Sequence, residues 1–143
     1  METSAHVRIH DRLGMIAGMS PRLMDGEFAF CTITDDEHAA RLAPVALGWF
    51  REREGLSLIL STARATDEGF SVLQPMRHLE LGVFSALDGV GLTAAVASAL
   101  CEHNIPCNMV AAFHHDHVFV PSAQAQEALE VLQGLQQGGA DER

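Results

Sequence analysis

The chain has 143 residues, 48% hydrophobic and 20% charged, a composition that folds and does not stay disordered. Nine Lys and Arg against 19 Asp and Glu give a formal charge of −10, which argues against a grip on nucleic-acid phosphates and against polybasic attachment to an anionic membrane. The length fits one ordinary domain or two very small ones, and it allows a core without disulfides or metal.

The stretch Met1 to His10 lacks the apolar core of a signal peptide, and no apolar run approaches the roughly 18–20 residues of a spanning helix. A cytoplasmic location is expected. Cys31, Cys101 and Cys107 form no CxxC pair and read as buried, reduced thiols.

Val7 and Ile9 alternate with polar neighbours and offer an edge strand; Asp11 to Met19 reads as a weak helix. Glu27 to Ile33 is an apolar strand bounded by Asp25-Gly26 and by Thr34-Asp35-Asp36. Asp36 to Leu42 has room for two helical turns. Pro44 to Arg51 and Leu56 to Ser61 are strands joined by the charged turn Arg51-Glu52-Arg53-Glu54-Gly55, a hairpin signal. Thr62 to about Glu68 is helical, and Phe70 to Leu73 is a candidate closing strand. Trp49 and the phenylalanines fall on strand positions and read as packing.

In the second half, Leu79, Leu81 and Val83 alternate with His78, Glu80 and Gly82, a half-buried strand running into Phe84. Ser85 to Asp88 offers a helix cap, although Gly89 and Gly91 weaken a helix start there. Leu92, Ala95, Val96, Ala99 and Leu100 form one face of an amphipathic helix, which must end before Pro106. Cys107 to Phe113 is a strand, His114-His115-Asp116 a turn, and His117 to Val120 a strand. Ser122 caps a last helix with Ala125, Ala128, Leu129, Leu132 and Leu135 on one stripe. Gly138-Gly139 and the tail beyond read as frayed.

Both halves follow the order βαββα. Ile59 to Ala65 matches Phe119 to Ala125 at an offset of 60 residues, Pro44 falls opposite Pro106, and Phe50 opposite Phe113. Such a match is what a duplicated unit leaves. The first helix of the first copy is the shorter one.

The segments Arg77 to Leu100 and Asn104 to Pro121 resemble an ACT domain. More narrowly, the chain is similar to small proteins made of two ACT domains in tandem. Asp25 to Thr32 carries the likeness in the first copy; the Cys107-Asn108 strand start and the His114-His115-Asp116-His117 turn carry it in the second. The likeness covers about residues 20–135. It implies an α+β fold of two ferredoxin-like βαββαβ units packed as one body, the first over 20–74 and the second over 75–137, after an extension at 1–19. It also implies a small-molecule ligand, in the first place an amino acid, and side-by-side pairing of ACT units into a dimer. With no catalytic domain attached, the regulated enzyme would be another polypeptide, and this chain itself no enzyme.

The loop Asp88-Gly89-Val90-Gly91-Leu92 is the first candidate site. Glycines let a ligand approach the backbone, and free N–H groups at a helix start suit a carboxylate. The resemblance assigns this loop the ligand's carboxylate and amino group, with Asp88 able to receive an ammonium. Read from the residues alone, the glycines serve a tight turn equally well and Asp88 a helix cap. Asn108 offers a side-chain amide to the ligand, or is a polar strand end facing water. In the histidine turn, His115 and His117 share one face, and His114 and Asp116 the other. His115 and Asp116 are taken as ligand contacts in a solvated turn. No metal and no cofactor is expected, since neither CxxC nor HExxH is present. Ser85 lacks a nucleophile elbow, and Cys107 at a strand start reads as core. The competing function is a structural or partner-binding module that keeps the fold without a ligand.

Overall fold

A computed structural model of the chain describes residues 11–83 and 89–142. The elements in order are α1 (Arg12–Ala17), β1 (Pro21–Ile33), α2 (Asp36–Leu42), β2 (Gly48–Arg51), β3 (Leu56–Ser61), α3 (Thr62–Asp67), β4 (Met76–Leu81), α4 (Leu92–Glu102), β5 (Asn108–Ala111), β6 (Asp116–Pro121) and α5 (Ala125–Glu142). They build two ferredoxin-like βαββαβ units, as the resemblance implied. One compact unit is Gly26–Met76; the other takes the described residues up to Asp25 and those from Arg77 onward.

In the smaller unit the strand order is β2-β3-β1, with both pairings antiparallel. Ala29 lies opposite Leu60, Cys31 opposite Leu58 and Ile33 opposite Leu56. Period-two alternation therefore sends these residues to one face, where Leu42 of α2 and Ala65 of α3 close the core. Asp35 caps α2 by accepting from the His38 N–H, and Ser61 caps α3 by accepting from the Arg64 N–H. The two helices are tied by Arg41, whose guanidinium donates to both Glu68 carboxylate oxygens at 2.9 and 2.8 Å. These two hydrogen bonds are the main reason the Glu68 pKa falls to about 2.

In the larger unit the start of β1 lies beside β4, followed by β6 and β5. The Arg77 side chain donates to the Met24 carbonyl at 3.1 Å across the first of these pairings. Leu79 and Leu81 of β4 with Val118 and Val120 of β6 present one apolar face. Onto it pack Leu92, Ala95, Val96 and Leu100 of α4 and Ala125, Ala128 and Leu132 of α5, the stripes expected from their spacing. Met15, Ile16 and Met19, in and just after α1, complete this core.

Several sequence expectations change. The strand expected from Glu27 begins at Pro21, because Gly26 takes φ +96° and the chain continues where Asp-Gly reads as a turn. Phe70 to Leu73 is not a strand; Phe70 and Val72 pack half-buried against the smaller core. The place beside β4 is filled by the start of β1, while Val7 and Ile9 lie outside the described residues. The stretch before β2 is a 3-10 turn at Ala43–Val45, since Pro44 fits a helix start, so β2 is only Gly48–Arg51. The strand expected over Cys107 to Phe113 is Asn108–Ala111. Ser122 does not cap a helix; it opens a 3-10 turn, and its buried hydroxyl has no hydrogen-bond partner among the described residues. Gly138 and Gly139 do not fray the chain. Helix α5 continues through them, and a Cβ on Gly139 would stand 2.5 Å from Ile16 Cγ2, so glycine is what lets α5 meet α1. Cys101 is exposed, whereas Cys31 and Cys107 are half-buried.

Candidate functional site

The β4–α4 loop is built by what precedes α4. Gly91 occupies the N-cap at φ +106° and, as a glycine, offers no side-chain cap of its own. The backbone angle favours glycine, and a Cβ at Gly91 would lie 2.7 Å from Arg12 Cδ, so the flexible Arg12 side chain would have to shift. The Arg12 stem thus lies against the loop and brings a guanidinium to the start of an 11-residue helix. Val90 is 79% exposed, Gly89 half-buried and Leu92 buried in the core. Asp88 and Ser85 lie outside the described residues.

The histidine turn follows β5. His115 is half-buried, and its Nδ1 lies 3.2 Å from the carbonyl of Val83, at the exit of β4 towards that loop. Asp116 opens β6 opposite Ala111. Asn108 stands at the other end of the same ladder, opposite Phe119, about 10 Å along the strand from Ala111. It is exposed, and its amide donates to the Phe119 carbonyl at 3.5 Å.

His117 has a partner that spacing did not reveal. Its Nδ1 lies 2.8 Å from Nε2 of His78, and the His78 ring stacks on Phe119 at 4.9 Å. His78, read as the polar face of a half-buried strand, is only 4% exposed. Its ring is covered because Phe119 and His117 come from the neighbouring strand on the same face. Burial pushes both imidazoles below their ordinary pKa, with His117 adding to the effect on His78 and Glu80 opposing it in each.

Burial also pushes the Cys107 and Cys31 thiols up, the reverse of what an activated nucleophile needs. Among the described residues no three His, Cys, Asp or Glu side chains gather as a metal site. No helix among them is long and apolar enough to cross a membrane.

A further concavity was not anticipated. In the smaller unit an open cleft of about 610 Å³ lies between α2 and the β2–β3 hairpin, with Trp49 and Arg51 on one side and Asp36 and Ala40 on the other. Trp49 is 51% exposed, and Phe50 and Phe113 are exposed as well, so these aromatics are not core. The hairpin was legible; the emptiness beside it depends on how far α2 reaches.

Residues 13–77 and residues 81–134 each match a family model described as ACT domain. A solved protein of unknown function from Vibrio cholerae, described as a possible transport protein, is 37% identical to this chain. The match covers 87% of this chain and 94% of that one, with a TM-score of 0.77. The chain belongs to the ACT domain family. This ACT pair is also similar to a solved protein from Agrobacterium tumefaciens, 21% identical over 81% of this chain and 87% of that one, with a TM-score of 0.65. It shares its fold with the regulatory subunit of aspartate kinase from Thermus flavus, at 11% identity, 82% and 96% coverage and a TM-score of 0.54. No curated protein sequence matches the chain. In architecture the chain is a tandem pair of ACT domains.

Proposed function

We propose that this tandem ACT protein is a regulatory module that binds an amino acid and acts on an enzyme carried by another polypeptide. The ligand's carboxylate is received at the β4–α4 loop, and Asp88 and the His115–Asp116 turn face its amino group. The observation that carries the reading is the start of α4: an 11-residue helix whose N-cap is a left-handed glycine, with the Arg12 stem against it. Free N–H groups, the helix dipole and a guanidinium all favour an anion there. The contact of His115 with the Val83 carbonyl supports including the turn. Signalling follows from linkage: the ligand shifts whichever arrangement of paired ACT units it binds better. Copies pair into a dimer through a strand edge; the exposed Val110 and Phe113, in β5 and just after it, support that edge.

Titration calorimetry with each of the twenty amino acids tests the reading. At least one binds, and Val90→Glu, which sets a carboxylate at an exposed position where the ligand's own would arrive, weakens it about tenfold or more. If none of the twenty binds, the ligand-free partner-binding module stands instead. If one binds and Val90→Glu changes nothing, the loop is the wrong site.

A further inference from the structure

The helix layer of the larger unit carries a groove that the loop reading does not use. Its walls are α4 and α5, and two adjoining hollows of about 550 and 290 Å³ form it, sharing Ala99 and Leu135. The groove exists because both ridges are low. On α4 the lining positions Ala94, Ser98 and Ala99 carry nothing beyond a methyl or a hydroxymethyl group, and on α5 Gly134 carries no side chain. A Cβ built on Gly134 would meet nothing within 4 Å. Val131 and Leu135, both half-buried, give the floor its apolar surface. From Ala94 to His103 of the α4 side the groove runs about 13 Å, or two and a half helical turns.

The rim is acidic. Glu127 and Glu130 stand on the α5 side and Glu102 on the α4 side, with His103 beside them and Arg12 at the far end, against Gly91. Among the described residues none of these three carboxylates joins an ion pair. Glu130 accepts a hydrogen bond from the Gln126 amide of its own helix at 3.3 Å. Glu102 stands in the last turn of α4, which holds no basic residue, although the carbonyl end of a helix favours cations. The pattern extends beyond the rim: from His78 to Glu142 the chain has no lysine or arginine against eight aspartates and glutamates. Carboxylates on both sides of an apolar floor are complementary to an apolar stripe flanked by cations.

We infer that the α4–α5 groove docks a basic amphipathic helix of another protein. The apolar stripe of that helix lies on Ala99, Val131 and Leu135, and its lysines or arginines meet Glu102, Glu127 and Glu130. A second copy of this chain does not supply such a helix among its described residues. Helices α1, α2 and α3 hold one arginine each and α4 and α5 none, and Arg41 of α2 is already engaged by Glu68. The inference goes beyond the loop reading and stands whether or not an amino acid binds there.

The probe is a fluorescein-labelled helical peptide of about fourteen residues, with leucines at i, i+3, i+4 and i+7 and lysines and arginines on its flanks. A second peptide keeps the leucines and carries glutamates in place of the cations. Each is titrated with the whole chain and followed by fluorescence anisotropy. The cationic peptide saturates at one per chain, and the acidic one binds about tenfold more weakly or worse. Gly134→Leu fills the groove at an exposed position without changing charge, and it weakens the cationic peptide about tenfold or more. The Glu127→Gln, Glu130→Gln double variant does the same. Glu37→Gln with Glu54→Gln removes as much charge from exposed positions of the smaller unit and leaves binding unchanged. The inference is overturned if the cationic peptide does not bind, or if Gly134→Leu binds it as the parent does. It is also overturned if the smaller-unit pair weakens it as much as the groove pair, which would make net charge the whole of the attraction. A parent chain that sediments as a dimer and a Gly134→Leu variant that sediments as a monomer would overturn it too, by giving the groove to a second copy.

Discussion

Gly55 shows what one residue does to the mouth of the smaller unit's cleft. A Cβ there would come 2.6 Å from the Ile33 carbonyl oxygen and 3.2 Å from its carbon, both backbone atoms fixed by the β1–β3 ladder. Gly55→Ala is therefore expected to cost about 1–3 kcal/mol, in the range of overpacking substitutions. Urea unfolding checks this through a lower midpoint at an unchanged slope; an unaltered midpoint would mean that the hairpin shifts freely and the contact is soft. The need for glycine before β3 was legible in the charged Arg51-to-Gly55 turn, but its cause, a carbonyl 22 residues earlier, was not. Residue identity likewise hid the state of His78 and Trp49. A polar residue on an alternating strand reads as solvated, yet His78 is covered by Phe119 and His117 from the next strand; a tryptophan reads as core, yet Trp49 faces a cleft that a longer helix would have filled.

At the level of elements, periodicity served where one face of an element is buried. The Leu92-to-Leu100 stripe, the Ser61-capped entry into α3 and the β2–β3 hairpin all stand as spaced in the sequence, while its counterpart sixty residues on, at Ser122, is an uncapped 3-10 turn. It failed where glycines that usually end elements let them continue, at Gly26 in β1 and Gly139 in α5. Pairing of β4 with β6 sets up a pH response that neither strand has alone. Burial holds the His78 and His117 pKa values below 6.5, so below that pH the unfolded chain takes up protons that the native pair refuses. Folding stability should therefore be level above about pH 6.5 and fall below it, by at most about 1.4 kcal/mol per pH unit for each refused proton. Glu68, held down to about 2, has a separate window: its contribution is present above the ordinary carboxylate value of 4.5 and is lost as pH falls towards 2. Urea midpoints between pH 8 and 5, compared with a His78→Phe, His117→Gln double variant, read the histidine part. The same decline between pH 6.5 and 5 in the double variant would remove the histidine pair as its source.

For the whole molecule, the two repeats are alike in plan and unequal in substance. Among the described residues, sixteen buried ones gather in the core of the larger unit and six in that of the smaller. The difference arises from element lengths: α4 and α5 run to 11 and 18 residues, α2 and α3 to seven and six. α1 adds Met15 and Ile16 to the larger core, and Met19 follows just beyond it. Apolar burial is the main stabilising term, and each buried aliphatic side chain contributes about 1.5–3 kcal/mol. Cooperative openings are drawn from the parts with least of it. Native-state hydrogen exchange should then find the amides of α2, α3 and β2 opening at a lower free energy than those of α4, β6 and α5. Equal opening free energies in the absence of ligand would mean that the molecule unfolds as one cooperative block, and core size would then not set the order of opening.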